Sequence, residues 1–212
     1  MIGGYAVDAY SPLPRYSADC DLVIPKSDFE DLSEIFLQNG FKEKARIYLD
    51  ELGGLESWKF RKLVKSEPIS IELLLDGVKC RQTEAIWIWE EINASASERR
   101  VVGVSGSVLS NIASKELLLT MKLHSGRDAD LRDATTIIDS IDWTKVEEFS
   151  SRGNMKKVID QLTMDIVKIE RPGFEQELKA YFSSKVQEDK RLRRASANIA
   201  KLRKKTIEAK PC

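Results

Sequence analysis

The apolar positions of the chain change their period near its middle. In the first half they come in short runs bounded by turn residues, and from about Val108 onward they recur at helical spacing. Ile2 to Tyr10 opens on Gly3-Gly4 and continues as a short helix, which Ser11-Pro12-Leu13-Pro14 breaks. Asp21-Leu22-Val23-Ile24 reads as a strand stopped by Pro25. Ser27, with Glu30 three residues later, has the form of a capping box for a helix carrying Leu32, Ile35, Phe36 and Leu37, closed by Asn39-Gly40. Ala45 to Leu63 is expected to hold a hairpin turning at Gly53-Gly54. Pro68 precedes a buried strand, Ile69 to Leu75, that Asp76-Gly77 ends, and Ala85 to Trp89 is a further apolar segment. Helical spacing follows in Leu117, Leu118, Met121 and Leu123, in Leu131, Ala134, Ile137, Ile138 and Ile141, and in Val158, Leu162, Ile166 and Ile169. There is no internal repeat. The pattern predicts an α+β protein: mixed strands and helices in residues 1–100, then a mainly helical part in 101–212. The boundary is expected between Ser95 and Ser107, where small residues, Gly103 and Gly106 cluster.

Composition narrows the class. The 212 residues hold 34 Lys+Arg and 34 Asp+Glu and are 42% hydrophobic, which excludes a disordered or collagen-like chain. No stretch approaches the roughly 20 uncharged residues of a bilayer span, and no basic region leads into an apolar core at the start. The expected location is therefore the cytoplasm, with no membrane partner. Cys20, Cys80 and Cys212 form no CxxC pair, and His124 is the single histidine, so a closed zinc site lacks its usual ligands. A catalytic metal would need oxygen ligands, which points to Mg²⁺ or Mn²⁺. The zero net charge conceals an asymmetry: Lys185 to Cys212 carries ten basic residues against three acids. Such an end suits a polyanion such as RNA, and equally reads as a solvated surface helix.

The chemistry concentrates near the start. Asp19 and Asp21, one residue apart on a strand, project from the same face and can share a divalent ion. Glu72 stands among Ile71, Leu73 and Leu74, where an acid is costly unless paired, hydrogen-bonded or coordinating. Three carboxylates from two strands would form an oxygen cage suited to Mg²⁺. Gly3 and Gly4, without Cβ atoms, would let backbone N–H groups approach an anion at the start of the helix they open. Arg15 could grip a triphosphate bidentately and Ser17 could donate to it, or Arg15 could neutralise the acids. Taken singly, the glycine pair is a turn, Asp-x-Asp a strand end, and Glu72 an ion-pair partner.

The order of these residues carries a resemblance. Gly3-Gly4, then Arg15-Tyr16-Ser17-Ala18-Asp19-Cys20-Asp21-Leu22, then an acid inside a hydrophobic strand, resembles the nucleotidyltransferase fold of the DNA polymerase β superfamily. The resemblance implies a mixed sheet flanked by helices, with Asp19 and Asp21 as paired metal ligands and Glu72 as the third. Glu116 to Leu123, followed by Arg127-Asp128-Ala129-Asp130-Leu131-Arg132-Asp133, is similar to motifs of the AbiEii/MenT-like toxin branch. That similarity implies Lys122 as a phosphate contact and Asp130, or else Asp133, as a second required acid; Ala129 stands where the branch has lysine. The implied reaction transfers NMP from an NTP to a macromolecular hydroxyl, with tRNA or another RNA 3′ end first, and a protein or small-molecule hydroxyl after it. A cognate antitoxin is an implied partner. The competing expectation is a nucleotide-binding module that has lost turnover.

Other residues have simpler readings. Lys122 and Asp130 lie eight apart across an expected break at Ser125-Gly126, so they could converge from a helix end and the next helix start, or serve as a surface lysine and a local ion-pair acid. Cys20 should face away from the acids into the core. His124 is expected to be a partner of a helix C-terminus, and Trp58, Trp87, Trp89 and Trp143 are expected to pack, with Trp87 and Trp89 alternating along a strand.

Overall fold

The computed structural model describes residues 1–11, 17–49, 55–103, 106–182 and 188–209. The chain divides into two compact units, and it passes between them more than once: Met1–Ala9, Tyr16–Lys79 and Ile86–Ser114 form the first, and Tyr10–Arg15, Cys80–Ala85 and Lys115–Cys212 the second.

The first unit opens with a short helix, α1 (Gly3–Asp8), whose Ala6 and Val7 are buried. Strand β1 (Asp19–Ile24) is followed by a 3₁₀ turn at Lys26–Asp28 and helix α2 (Phe29–Gln38). Strands β2 (Lys42–Leu49), β3 (Leu55–Val64) and β4 (Glu67–Leu75) complete a four-stranded sheet in the order β1-β4-β3-β2. The β1–β4 pair is parallel and the other two are antiparallel, so the sheet is mixed as expected. The β2–β3 hairpin is present, while Gly53-Gly54, its expected turn, lies outside the described residues.

Period-two alternation gives the sheet two unlike faces. Ile24, Phe60, Leu73 and Leu75 form a buried cluster, and Leu22, Ile71, Trp58 and the α2 residues Phe29, Leu32 and Phe36 pack against it. The intervening positions of β1 and β4 carry Asp19, Asp21, Ser70 and Glu72. Glu72 is thus half-buried on the polar face, while its sequence neighbours Ile71 and Leu73 point into the opposite core, which removes most of the burial cost read from the sequence. Pro68 is tolerated because it pairs with Leu63 of β3 at the start of β4, before β1 joins at Ser70.

Two local expectations are corrected. Ser27 does not cap α2: it sits within the 3₁₀ turn and donates its hydroxyl to Asp28 Oδ1 at 2.9 Å, and Asp28, the residue before the helix, makes no side-chain cap. The extra tight turn shifts the helix start past the candidate box. Nor does helix begin near Val108. After β5 (Gly77–Lys79), β6 (Ile86–Ile88) and α3 (Trp89–Ser95), the stretch read as a small-residue boundary forms a hairpin, β7 (Ser97–Gly103) with β8 (Gly106–Ile112). Val101 and Val108 face each other in it, a β-branched pair suited to a pleated surface. Trp87 lies in β6, 1% exposed, but Trp89 begins α3, so the two do not alternate along one strand.

The second unit is helical: α4 (Lys115–Ser125), α5 (Asp128–Ile137), α6 (Trp143–Ser150), α7 (Met155–Glu170), α8 (Phe174–Phe182) and α9 (Glu188–Glu208). The predicted apolar stripes supply its core, with Leu117, Leu118, Leu123, Leu131, Val158 and Leu162 nearly inaccessible. Asp142 and Asn154 cap α6 and α7 through their side chains. The basic end is largely a packed helix: Ala195, Ile199 and Leu202 of α9 are buried, Arg191 and Arg194 pair with Asp139, and Lys205 pairs with Glu147. The architecture is α+β, a mixed sheet flanked by helices and followed by a mainly helical part. Among the described residues, no helix is long and apolar enough to cross a membrane.

Candidate catalytic site

The polar face of the sheet is built by register. Asp19 lies opposite Ser70 and Asp21 opposite Glu72 across the parallel β1–β4 pair, while Lys59 lies opposite Glu72 and Arg61 opposite Ser70 across β3–β4. Alternation puts all six side chains on the face away from the Phe60 cluster. Asp19 Oδ1 accepts a hydrogen bond from Ser70 Oγ and another from Lys59 Nζ at 3.3 Å. The Ser70 hydroxyl holds the Asp19 carboxyl below the usual carboxylate range; partial burial opposes this, and the charges of Lys59 and Arg61 add to it. Ser17 donates its hydroxyl to the Asp19 carbonyl at 3.1 Å, which ties the approach of the chain into β1. Cys20, between the two acids, points the other way as expected, and burial followed by the charge of Asp21 pushes its thiol up to about 11.

Gly3 has a role the sequence left general. It begins α1 at a φ of +73°, and a Cβ there would stand 1.8 Å from Asp21 Oδ2. The anion that this glycine admits is thus Asp21's own carboxylate. Ile2 N–H donates to the Asp21 carbonyl at 3.0 Å, so the Asp21 backbone is held against the start of the chain while its carboxylate occupies the space that Gly3 leaves open. Gly4 is the second residue of α1.

Asp19, Asp21 and Glu72 are thereby brought to one face by two adjacent strands. Successive same-face positions are about 6.6 Å apart along a strand and neighbouring strands about 4.8 Å apart, a spacing that carboxylate side chains can span. The all-oxygen donor set fits a hard divalent cation. Among the described residues no group of three or more His, Cys, Asp or Glu is gathered close enough to hold a metal, and Asp19 is turned instead toward Ser70 and Lys59. Arg15 lies outside the described residues. Lys59 and Ser70 were not singled out in the sequence; the signal was there in the alternation of β3 and β4, but only the register shows which partners it gives Asp19.

The second group expected from the sequence is assembled within the helical unit. Ser125 ends α4 and Asp128 starts α5, so the break at Ser125-Gly126 lets Lys122 turn onto α5. Its Nζ lies 2.5 Å from Asp130 Oδ1 and 2.8 Å from Asp133 Oδ2, with the acids only 3% exposed. Asp130 Oδ2 also accepts from Ser125 Oγ and Arg127 Nε, each at 2.6 Å. Burial alone would raise the Asp130 carboxyl, but Lys122, Arg127 and Ser125 outweigh it and hold it below its ordinary value. Burial would likewise lower the Lys122 ammonium, and Asp133 with Asp130 reverses the direction. His124 is not a charged partner of the helix end: it is 1% exposed, its Nδ1 lies 2.7 Å from Thr83 Oγ1, and burial lowers its pKa to about 4.

No known family profile matches the chain, and no curated protein sequence matches it. Two solved structures overlap it loosely. One is a candidate nucleotidyltransferase from H. pylori, 13% identical with a TM-score of 0.45, covering 100% of this chain and 88% of the other. The second is JHP933 from Helicobacter pylori, 14% identical with a TM-score of 0.43, covering 97% of this chain and 83% of the other.

Proposed function

We propose that the protein is a metal-dependent nucleotidyltransferase that moves NMP from an NTP to an acceptor hydroxyl and releases pyrophosphate. The observation that carries this reading is the presentation of Asp19, Asp21 and Glu72 on one face of β1 and β4, with room for the Asp21 carboxylate left by Gly3 and Asp19 held by Ser70. Asp19, Asp21 and Glu72 would hold Mg²⁺ or Mn²⁺, which supplies charge neutralisation at the triphosphate and a lowered pKa at the acceptor hydroxyl. The chain's own part is positioning: Ser70 holds Asp19, Gly3 leaves room for the Asp21 carboxylate, and Lys59 and Arg61 add positive charge beside them for phosphate oxygens. Lys122 would have to leave two buried acids to contact phosphate, so Lys122, Asp130 and Asp133 enter this proposal as the anchor of α4 on α5. Following the toxin-branch resemblance, tRNA or another RNA 3′ end is the first acceptor to supply, and a cognate antitoxin remains a proposed partner.

One observation favours a second reading. Lys59 already balances Asp19 with a side-chain cation, so the carboxylate face is partly neutralised without a metal, as suits a nucleotide-binding module without turnover. Pyrophosphate release with each NTP supplied singly, Mg²⁺ or Mn²⁺ present, and total tRNA added or omitted separates the two. Release that depends on one NTP and on tRNA, and that disappears in Asp19→Ala/Asp21→Ala, is the expected result. Nucleotide binding without release under every condition overturns the catalytic reading for these acceptors and leaves a protein or small-molecule acceptor, or the second reading.

A further inference from the structure

Two extremes stand out among the ion pairs of the described residues. Glu56, which receives Lys26 at 2.6 Å and Arg46 at 3.0 Å, has a side chain 5% exposed, and the acids that hold Lys122 are 3% exposed. In these pairs the carboxylate is withdrawn from water, so losing the cation leaves a buried charge and the pair is permanent. Lys59 and Asp19 differ: their side chains are 41% and 59% exposed, and the N–O distance is 3.3 Å. Both partners keep access to water, which makes the contact weak, screened and exchangeable. The oxygen it occupies is Oδ1 of a carboxylate the proposed reaction needs. The lysine's place is also fixed: register sets it opposite Glu72 on β3, and Glu72 lies opposite Asp21 on β1, so its backbone stands next to the whole acidic row.

We propose that Lys59 is a resident cation of the carboxylate face that a divalent ion has to displace, so that this lysine sets the metal concentration at which the site fills. The inference rests on the metal-dependent reading above. Without metal, Lys59 relieves the repulsion between Asp19 and its acidic neighbours. When a divalent cation enters, the flexible four-carbon stem lets the ammonium swing away from Asp19 while staying on the same face, beside Arg61. The exchange ties the charge of the face to its occupancy: one positive centre leaves the carboxylates as another arrives.

The test counts free Mn²⁺ by electron paramagnetic resonance during titration of the intact protein, with circular dichroism to verify folding. Wild type, Lys59→Gln, Lys59→Met, Lys59→Arg and Arg61→Gln are compared, with Asp19→Asn as the variant that should lose binding. Lys59→Gln and Lys59→Met should bind Mn²⁺ about two- to fivefold tighter, the factor that an exposed ion pair's strength allows. Lys59→Arg should stay near wild type, and Arg61→Gln, which removes a charge from the same face but no contact with Asp19, should change affinity less. Thermal melting gives a second readout: metal-free Lys59→Gln should melt below wild type and gain more from added Mn²⁺. Binding in wild type that is unchanged or weaker in both uncharged Lys59 variants overturns the displacement idea and leaves the metal site standing. Absence of binding at millimolar Mn²⁺ in folded wild type and in both variants overturns the metal-dependent reading with it.

Discussion

A methyl group at position 3 would have to enter space held by Asp21 Oδ2 and to keep a φ of +73° that residues with a Cβ adopt only at a cost. Gly3→Ala should therefore push the Asp21 carboxylate off the polar face, lowering pyrophosphate release at least tenfold while the helical unit's circular dichroism is retained. Lys122 and Lys59 differ in what their loss leaves behind. Lys122→Met removes the cation that Asp130 and Asp133, each 3% exposed, share, leaves Asp130 to Arg127 and Ser125, and should cost about 3–5 kcal/mol in urea unfolding. Lys59→Met strands an acid 59% exposed to water and should cost less than about 1 kcal/mol. An equal loss from both would contradict the distinction drawn between the pairs.

At the level of elements, the connection of β3 to β4 passes through Lys65 and Ser66, with φ values of 50° and 71°. Two consecutive left-handed residues make the tight turn whose twist suits a hairpin, yet neither is glycine or asparagine. Ser66→Gly should stabilise the sheet by about 1 kcal/mol, measurable as a raised melting temperature. That turn also shows where reading the sequence stops. Strands β1 and β4 and helices α4, α5 and α7 were legible because each carries its own period, and the break at Ser125-Gly126 was marked by its glycine. That Asp19 and Asp21 share a face follows from alternation along β1, whereas Glu72 joins them through the parallel register of β4. What could not be read was contact across strands: Ser70 and Lys59 reach Asp19 only because register aligns residues 51 and 40 positions away. The β7–β8 hairpin reads as a boundary in the sequence because its small and polar residues resemble a linker until Val101 and Val108 are paired.

For the whole molecule, two buried groups give opposite dependences on pH. His124 keeps its ring neutral, with a pKa of about 4 against an ordinary 6.5, so the unfolded chain takes up a proton first and stability falls as pH drops from about 6.5 to 4. Burial raises the Asp165 carboxyl to about 7 from 3.8, so the folded chain holds the extra proton and stability falls as pH rises from about 4 to 7. Each is worth on the order of 3–4 kcal/mol at full extent, and between pH 4 and 6.5 they largely cancel. Unfolding of Asp165→Asn in urea should then expose the histidine slope, with stability lost on acidification, and His124→Gln should show the reverse; parallel curves for the two variants would refute the assignment.

The chain's route has a further consequence for how such a protein can change by recombination. Between β5 and β6 the segment Cys80–Ala85 belongs to the helical unit, where Asn154 N–H donates to the Thr83 carbonyl at 2.8 Å, Lys157 meets Glu84 at 2.6 Å and the Cys80 thiol donates to the His124 carbonyl at 3.1 Å. No single crossover can exchange one unit for a homologue's without separating those partners. A transplant of the helices would need the loop of residues 80–85 to travel with them.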